Sequence, residues 1–340
     1  MLSVIALTAC NKINDTTTRE SQLSFEEFCL SDQLGYPVQI LVHDSVIYIS
    51  DIYGDTLVHK YSCKDGSPIG KTIPKGVGPG EVLPPIQMQA YDDTLMVYAR
   101  PILTMFKGAF ADNARLQRVA TMPGVTSNAW RINDDEYIVS TSIFGNNDID
   151  NSIHSRFLLL DRDMNIKQKF GEFPKFWSAE KNFDASTLSN FHQTMQILPL
   201  SSDSIVAVTN YVMSFYNRDS EGNFVLSKEL RILPYEYDMR PPTERTSAQT
   251  KIKPEYTTKI YDARIFNNNI VLGITDKTES NDSTNLYFIT VDYNGETQFK
   301  YMPDKKIDPP FYILDSGHIL SIARDDDDKT YIVKSTTAIE

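Results

Sequence analysis

Cysteine is scarce in this chain of 340 residues, which has three. With Cys10 set apart, Cys29 and Cys63 remain, and two thiols in so long a chain do not make a disulfide framework. Excess positive charge is lacking too. Lys+Arg is 33 and Asp+Glu is 45, so the formal net charge is −12. That field repels polyanions, and nucleic acid is not expected as a partner. No apolar run reaches the roughly 20 residues that a bilayer-spanning helix needs. Catalytic signatures are missing as well: there is no Gly-x-Ser-x-Gly elbow, His-Glu-x-x-His, Walker loop or Cys-x-x-Cys. The five histidines (His43, His59, His154, His192 and His318) show no metal-ligand spacing. No cofactor and no bound metal are expected. Disorder is excluded by composition, since 41% of residues are hydrophobic and 23% charged.

What is present is a recurring β pattern. From about Pro37 onward, short β-branched strands alternate with tight Asp, Asn, Ser or Gly turns. Asp44-Ser45 precedes Val46-Ile47-Tyr48-Ile49, Asp92-Asp93 precedes Thr94-Leu95-Met96-Val97, and Ser202-Asp203 precedes Ser204-Ile205-Val206-Ala207. The same signal returns at Asn133-Asp134-Asp135, Asn267-Asn268-Asn269 and Asp315-Ser316-Gly317. These residues tolerate hairpin turn conformations, and β-branched neighbours suit a pleated surface. A second hairpin follows most of them, which makes four antiparallel strands per unit. A period of roughly 50 residues fits propeller blades. The expected fold is all-β: a six-bladed β-propeller of four-stranded antiparallel blades. The last unit is one strand short, and the stretch from Leu23 to Phe28 is placed to supply it, closing the ring. The expected organisation is residues 1–9 as a leader, 10–22 as a flexible tether and 23–340 as one propeller domain.

The leader carries an address. Leu7-Thr8-Ala9-Cys10 resembles the bacterial lipobox, in which the cysteine becomes the acylated N-terminus after cleavage. Cys10 is therefore the expected lipidation site, with the protein anchored by lipid to the outer membrane and facing the periplasm. Lys75-Gly76-Val77-Gly78-Pro79-Gly80-Glu81 follows the outer strand of the first unit. Its glycines do not make a dinucleotide loop, because Glu81 holds the third glycine position and Pro84-Pro85 block the following helix. Gly76, Gly78, Pro79, Gly80 and Glu81 read instead as a structural loop. Together with Lys60-Tyr61 and Lys64-Asp65-Gly66, this stretch is similar to the signature of the TolB-like six-bladed β-propeller lipoproteins of Bacteroidota. Val82 stands where those proteins often carry an aromatic. The resemblance implies a lipid-anchored six-bladed propeller and no settled activity.

Function is expected on one face. Within a blade the A–B and C–D turns lie on one side, and the B–C and D–A connections on the other. All the tight turns above are of the first kind, so the long connections gather on the opposite face, where binding residues concentrate. Asp51, Arg100, Tyr211 and Arg324 end B strands there, and His192 enters the fourth blade from the same side. These five are the candidate ligand-binding residues; arginine and tyrosine at a concave mouth suit carboxylates or sugar hydroxyls. The expected function is a non-enzymatic binding module with an envelope protein or a glycan as partner. The alternative is a metal-dependent hydrolase or lactonase, which needs several acidic or imidazole ligands on the inner strands. Those strands offer mostly apolar and amide residues, as in Gln87-Met88-Gln89 and Met195-Gln196-Ile197. The run Asp325 to Asp328 lies on the loop face and reads as a solvated loop of mutually repelling carboxylates, with a weak divalent-cation site as the alternative. The calcium-like spacing of Asp161, Asp163, Asn165 and Glu172 reads as a plain C–D hairpin turn, since its position 6 is Ile166 instead of glycine.

Overall fold

The structure is a computed structural model that describes residues 18–30, 34–99, 104–110, 116–121, 126–141, 155–176, 188, 192–235, 237–240, 249–252, 258–277 and 284–340. Cys10, the leader and most of the tether lie outside the described residues, as does Arg100.

Alternation at both faces of each sheet builds the fold. In β16 (Ser204–Thr209), Val206 and Val208 pack to one side, and Ile205 and Ala207 to the other. A strand buried on both faces reads as a continuous apolar run, and this explains Ile-Val-Ala-Val and its counterparts. Each valine or isoleucine so buried contributes about 1.5–3 kcal/mol. Six four-stranded antiparallel blades result, each numbered outward from its inner strand. Blade 1 is β3 (Pro37–His43), β4 (Val46–Asp51), β5 (Thr56–Ser62) and β6 (Pro68–Pro74). Blade 2 is β7 (Ile86–Tyr91), β8 (Thr94–Ala99), β9 (Thr104–Ala109) and β10 (Gln117–Thr121). Blade 3 is β11 (Thr126–Asn133), β12 (Glu136–Thr141), β13 (Phe157–Asp161) and β14 (Ile166–Phe170). Blade 4 is β15 (Thr194–Ser201), β16, β17 (Val212–Arg218) and β18 (Phe224–Arg231). Blade 5 is β21 (Lys259–Phe266), β22 (Asn269–Lys277), β23 (Thr284–Val291) and β24 (Thr297–Pro303). Blade 6 is β25 (Asp308–Ile313), β26 (Ile319–Arg324), β27 (Thr330–Ser335) and, from the other end of the chain, β2 (Phe25–Leu30).

The inner strands touch in a closed cycle, β3 to β7, β11, β15, β21, β25 and back to β3. Each seam between blades holds its own apolar cluster. At the seam of blades 6 and 1, Leu320, Ile322 and Ile332 meet Ile40, Ile47 and Ile49. The closing strand is the one the sequence places there: β2 pairs antiparallel with β27, Phe25 opposite Ser335.

Two elements depart from expectation. The tether reading of residues 10–22 ends too late, because Arg19–Leu23 forms β1, a parallel fifth strand on β24. Four of its five residues are exposed, so backbone pairing and buried Leu23 hold it. The connection between blades 4 and 5 also carries a hairpin, β19 (Tyr237–Arg240) with β20 (Gln249–Ile252).

A buried carboxylate ties blade 3 to blade 4 on the short-turn face. Glu136 accepts hydrogen bonds from Nδ2 of Asn133 at 2.8 Å, from Lys167 and from Arg218 of β17. Burial pushes its carboxyl up, but Lys167, Asn133 and Arg218 pull harder and leave it below the ordinary range. Such a group contributes stability that is present above its unfolded pKa of about 4.3. That stability is lost as pH falls through the lower folded value. Glu136→Gln is expected to cost about 2 kcal/mol at neutral pH. Urea titrations of the two proteins should converge as the pH drops below about 4; a pH-independent gap would contradict the assignment.

Candidate functional site

The inner strands carry amides where a purely apolar core would do. Gln39 donates Nε2 to the Met88 carbonyl and accepts from the Met88 N–H, both at 2.7 Å, so it clamps β3 to β7. Gln89 repeats the clamp on Arg131 of β11, at 2.8 Å each way. From blade 3 to blade 4, Asn128 donates to the Thr194 carbonyl and the Trp130 indole donates to Gln196, each at 3.0 Å. Gln196 then donates 2.8 Å to Asp262 of β21. Buried polar groups need partners, and here the partners sit one blade further on, so polarity fixes the register of neighbouring inner strands.

A cavity of about 310 Å³ opens among the first residues of these strands, and five of the blades contribute to its wall. Because every inner strand runs from the long-loop face toward the A–B turns, the cavity lies at the long-loop end of the central channel. Its polar wall is Gln39, Gln87, Asn128, Gln196 and Asp262. Tyr98 and Tyr261 add rings, and Val38, Ile86 and Met195 add apolar surface. Asp262 is the one charged residue among them. Burial pushes its carboxyl above the ordinary range, against the pull of Arg264, Gln196 and the Ala263 N–H. Arg264 lies 2.7 Å from Oδ2 and neutralises the pair.

Two donors remain for a ligand. Nε2 of Gln87 and the hydroxyl of Tyr261 have no partner among the described residues, whereas Oε1 of Gln87 accepts from the Ala129 N–H at 3.4 Å. Burial and the nearby Asp262 push the Tyr261 phenol well up, so it is a neutral donor. A metal-dependent hydrolase needs several carboxylate or imidazole ligands at such a mouth. Among the described residues of the lining, Asp262 alone is of that kind.

The family model described as TolB-like 6-blade propeller-like matches residues 14–310. The chain belongs to this family. Two solved structures share the fold. One is a Bacteroides fragilis protein described as exported, at TM-score 0.60 and 11% identity, covering 95% of this chain and 99% of that one. The other is virginiamycin B lyase from Staphylococcus aureus, at TM-score 0.52 and 12% identity, covering 93% and 100%. No curated protein matches the chain.

In this TolB-like propeller the loop motif is a self-contained turn. Glu81 folds back so that its carboxylate accepts the Gly78 N–H at 2.8 Å, and its own N–H donates 3.0 Å to the Gly78 carbonyl. A Cβ on Gly76 would stand 2.0 Å from that carboxylate, and Gly80 has φ +83°. Val82 is 2% exposed and packs into the cluster between blades 1 and 2.

Of the nominated residues, Arg100 lies outside the described residues; Asp51, His192, Tyr211 and Arg324 stand on the expected face but do not line the cavity. Asp51 is buried, and its carboxylate accepts the N–H groups of Gly35, Tyr36 and Tyr53 at 2.6, 2.9 and 2.9 Å. Tyr211 and His192 are buried against Tyr235, with ring centroids 4.9 and 5.6 Å away. Arg324 is exposed, 3.9 Å from Asp308. Asp51 and Arg324 end their B strands as expected and Tyr211 lies two residues past one, but the side chains of Asp51, Tyr211 and His192 are buried in the blades, and Arg324 alone of the four is exposed. The calcium-like spacing is a hairpin turn, as expected. Asp161 accepts the N–H groups of Asp163 and Asn165 at 2.9 and 2.8 Å, and Asp325 repeats this with Asp327 and Lys329.

Proposed function

We propose that this TolB-like propeller is a binding module, lipid-anchored through Cys10 in the cell envelope, that takes a small uncharged hydroxyl-bearing ligand of the glycan class at the channel mouth. The observation that carries the reading is the pair of unpartnered donors, Gln87 Nε2 and the Tyr261 hydroxyl, in a wall otherwise locked by its own hydrogen bonds. A volume of about 310 Å³ is at the small end of ligand pockets. An anion would meet Asp262, and a cation would find that carboxylate already neutralised by Arg264. A sugar ring satisfies amides and phenol through its hydroxyls, and covers Ile86 and Met195 with its apolar face. The likeness to a protein described as exported supports the envelope address.

Screening the full chain against neutral saccharides by calorimetry tests the proposal. Binding is expected, with Gln87→Ala and Tyr261→Phe each weakening it about tenfold, that is by about 1.4 kcal/mol. Unchanged affinity in both variants would place the ligand elsewhere. The anchor has its own measurement: mass spectrometry of protein from an envelope fraction should give an acylated Cys10, and a mature form still carrying residues 1–9 would remove it.

A further inference from the structure

The short-turn face holds a second constellation, remote from the channel mouth. His43 closes β3, Asp44 opens the A–B turn of blade 1, and Asp93 sits in the A–B turn of blade 2. The seam between blades brings them together. Nε2 of His43 lies 3.3 Å from Oδ2 of Asp44 and 4.0 Å from Oδ1 of Asp93, and the three donor atoms all lie within 4.8 Å of one another. The imidazole is held in place by stacking on Phe110, centroids 3.9 Å apart and planes at 17°. Phe110 is in turn packed on Tyr48, whose hydroxyl donates to its carbonyl at 3.4 Å. The ring is therefore rigid, and its Nε2 faces two solvent-exposed carboxylates.

We propose that His43, Asp44 and Asp93 bind a zinc ion across the seam of blades 1 and 2. Zinc bonds to nitrogen and oxygen at about 2.0–2.2 Å in a tetrahedron, which sets ligand atoms about 3.3–3.5 Å apart. The His43–Asp44 separation already meets that spacing, and the exposed Asp93 carboxylate, 4.0 Å from Nε2 and within 4.8 Å of the Asp44 oxygen, has to move inward by about an ångström to join them. Two carboxylates and a neutral imidazole balance a dication and leave the fourth position to water. The fold does not need these charges. Asp44 has φ 47°, and in blade 5 Asn267 and Asn268 hold φ 46° and 60° in the equivalent turn without any. Two carboxylates facing each other across a seam repel, and a bound cation converts that repulsion into a clamp.

Titration of the full chain, freed of metal by chelator and dialysed, tests the site with zinc chloride as the probe. One equivalent should bind, and the melting temperature should rise with zinc. His43→Ala and Asp93→Asn should each weaken binding about tenfold or more. Asp93→Asn alters a fully exposed side chain, so its folding is not in question even if His43→Ala disturbs the Phe110 stack. Weakening by at least about fivefold in both variants supports the site, and less in either one overturns it. Failure of the wild-type chain to take up zinc also overturns it.

Discussion

A chain lacking residues 1–30 will fail to fold to a stable monomer, while one lacking residues 1–18 will melt within a few degrees of the full chain. The first deletion removes β2, the outer strand of blade 6, and leaves β27 as an open edge. It also removes Leu23 and Phe25, which are 1% and 5% exposed and pack with Phe288, Phe311 and Val333 between blades 5 and 6. Losing side chains of that size from a core costs about 2–5 kcal/mol each. Net stabilities are about 5–15 kcal/mol, so the ring should open or the chain should pair its bare edge with a second copy. Calorimetry with size-exclusion chromatography reads both outcomes. A sharp transition at the full-length temperature from a monomeric 31–340 chain would show that closure does not depend on this strand.

Asp51→Ala will cost about 3–9 kcal/mol, from stranding the three N–H groups that its buried carboxylate now satisfies, at about 1–3 kcal/mol each. Asp51→Asn should cost less, since an amide oxygen still accepts. Urea denaturation measures both. Burial also holds the imidazole of neighbouring His59 below its ordinary pKa, so that ring stays neutral and replaces no charge when Asp51 is lost. Saccharide affinity measured on the folded fraction of Asp51→Asn should be unchanged. A loss of affinity with little loss of stability would return Asp51 to the ligand site.

Asp51 also marks how far the sequence could be read. Its position at the end of a B strand, and hence its face, follows from local turn chemistry and period-two patterning. The direction of its carboxylate depends on Gly35 and Tyr36, which ring geometry brings alongside. The same holds for Tyr211 and His192. Repeating hairpins and the missing last strand were legible because turns and alternation are local signals. β1 was not, since Arg-Glu-Ser-Gln has no buried face, and apart from Leu23 it is held by its backbone ladder and surface contacts such as Glu20 with Lys300. The cavity wall was half visible. Gln87 and Gln196 stood out as amides on inner strands, but which of their atoms are spoken for depends on Ala129, Trp130 and Asp262 in other blades. His43 and Asp93 likewise meet only through the seam, and no local spacing announces them.

The order of β1 and β2 along the chain has a mechanical consequence. Any tension on the segment before Arg19 is carried first by the β1–β24 ladder of blade 5, and reaches the closing strand of blade 6 only after that ladder has given way. The outer fifth strand thus works as strain relief, as a cable clamp spares the joint behind it. Pulling on the segment before Arg19 can fray blade 5 while the ring stays shut.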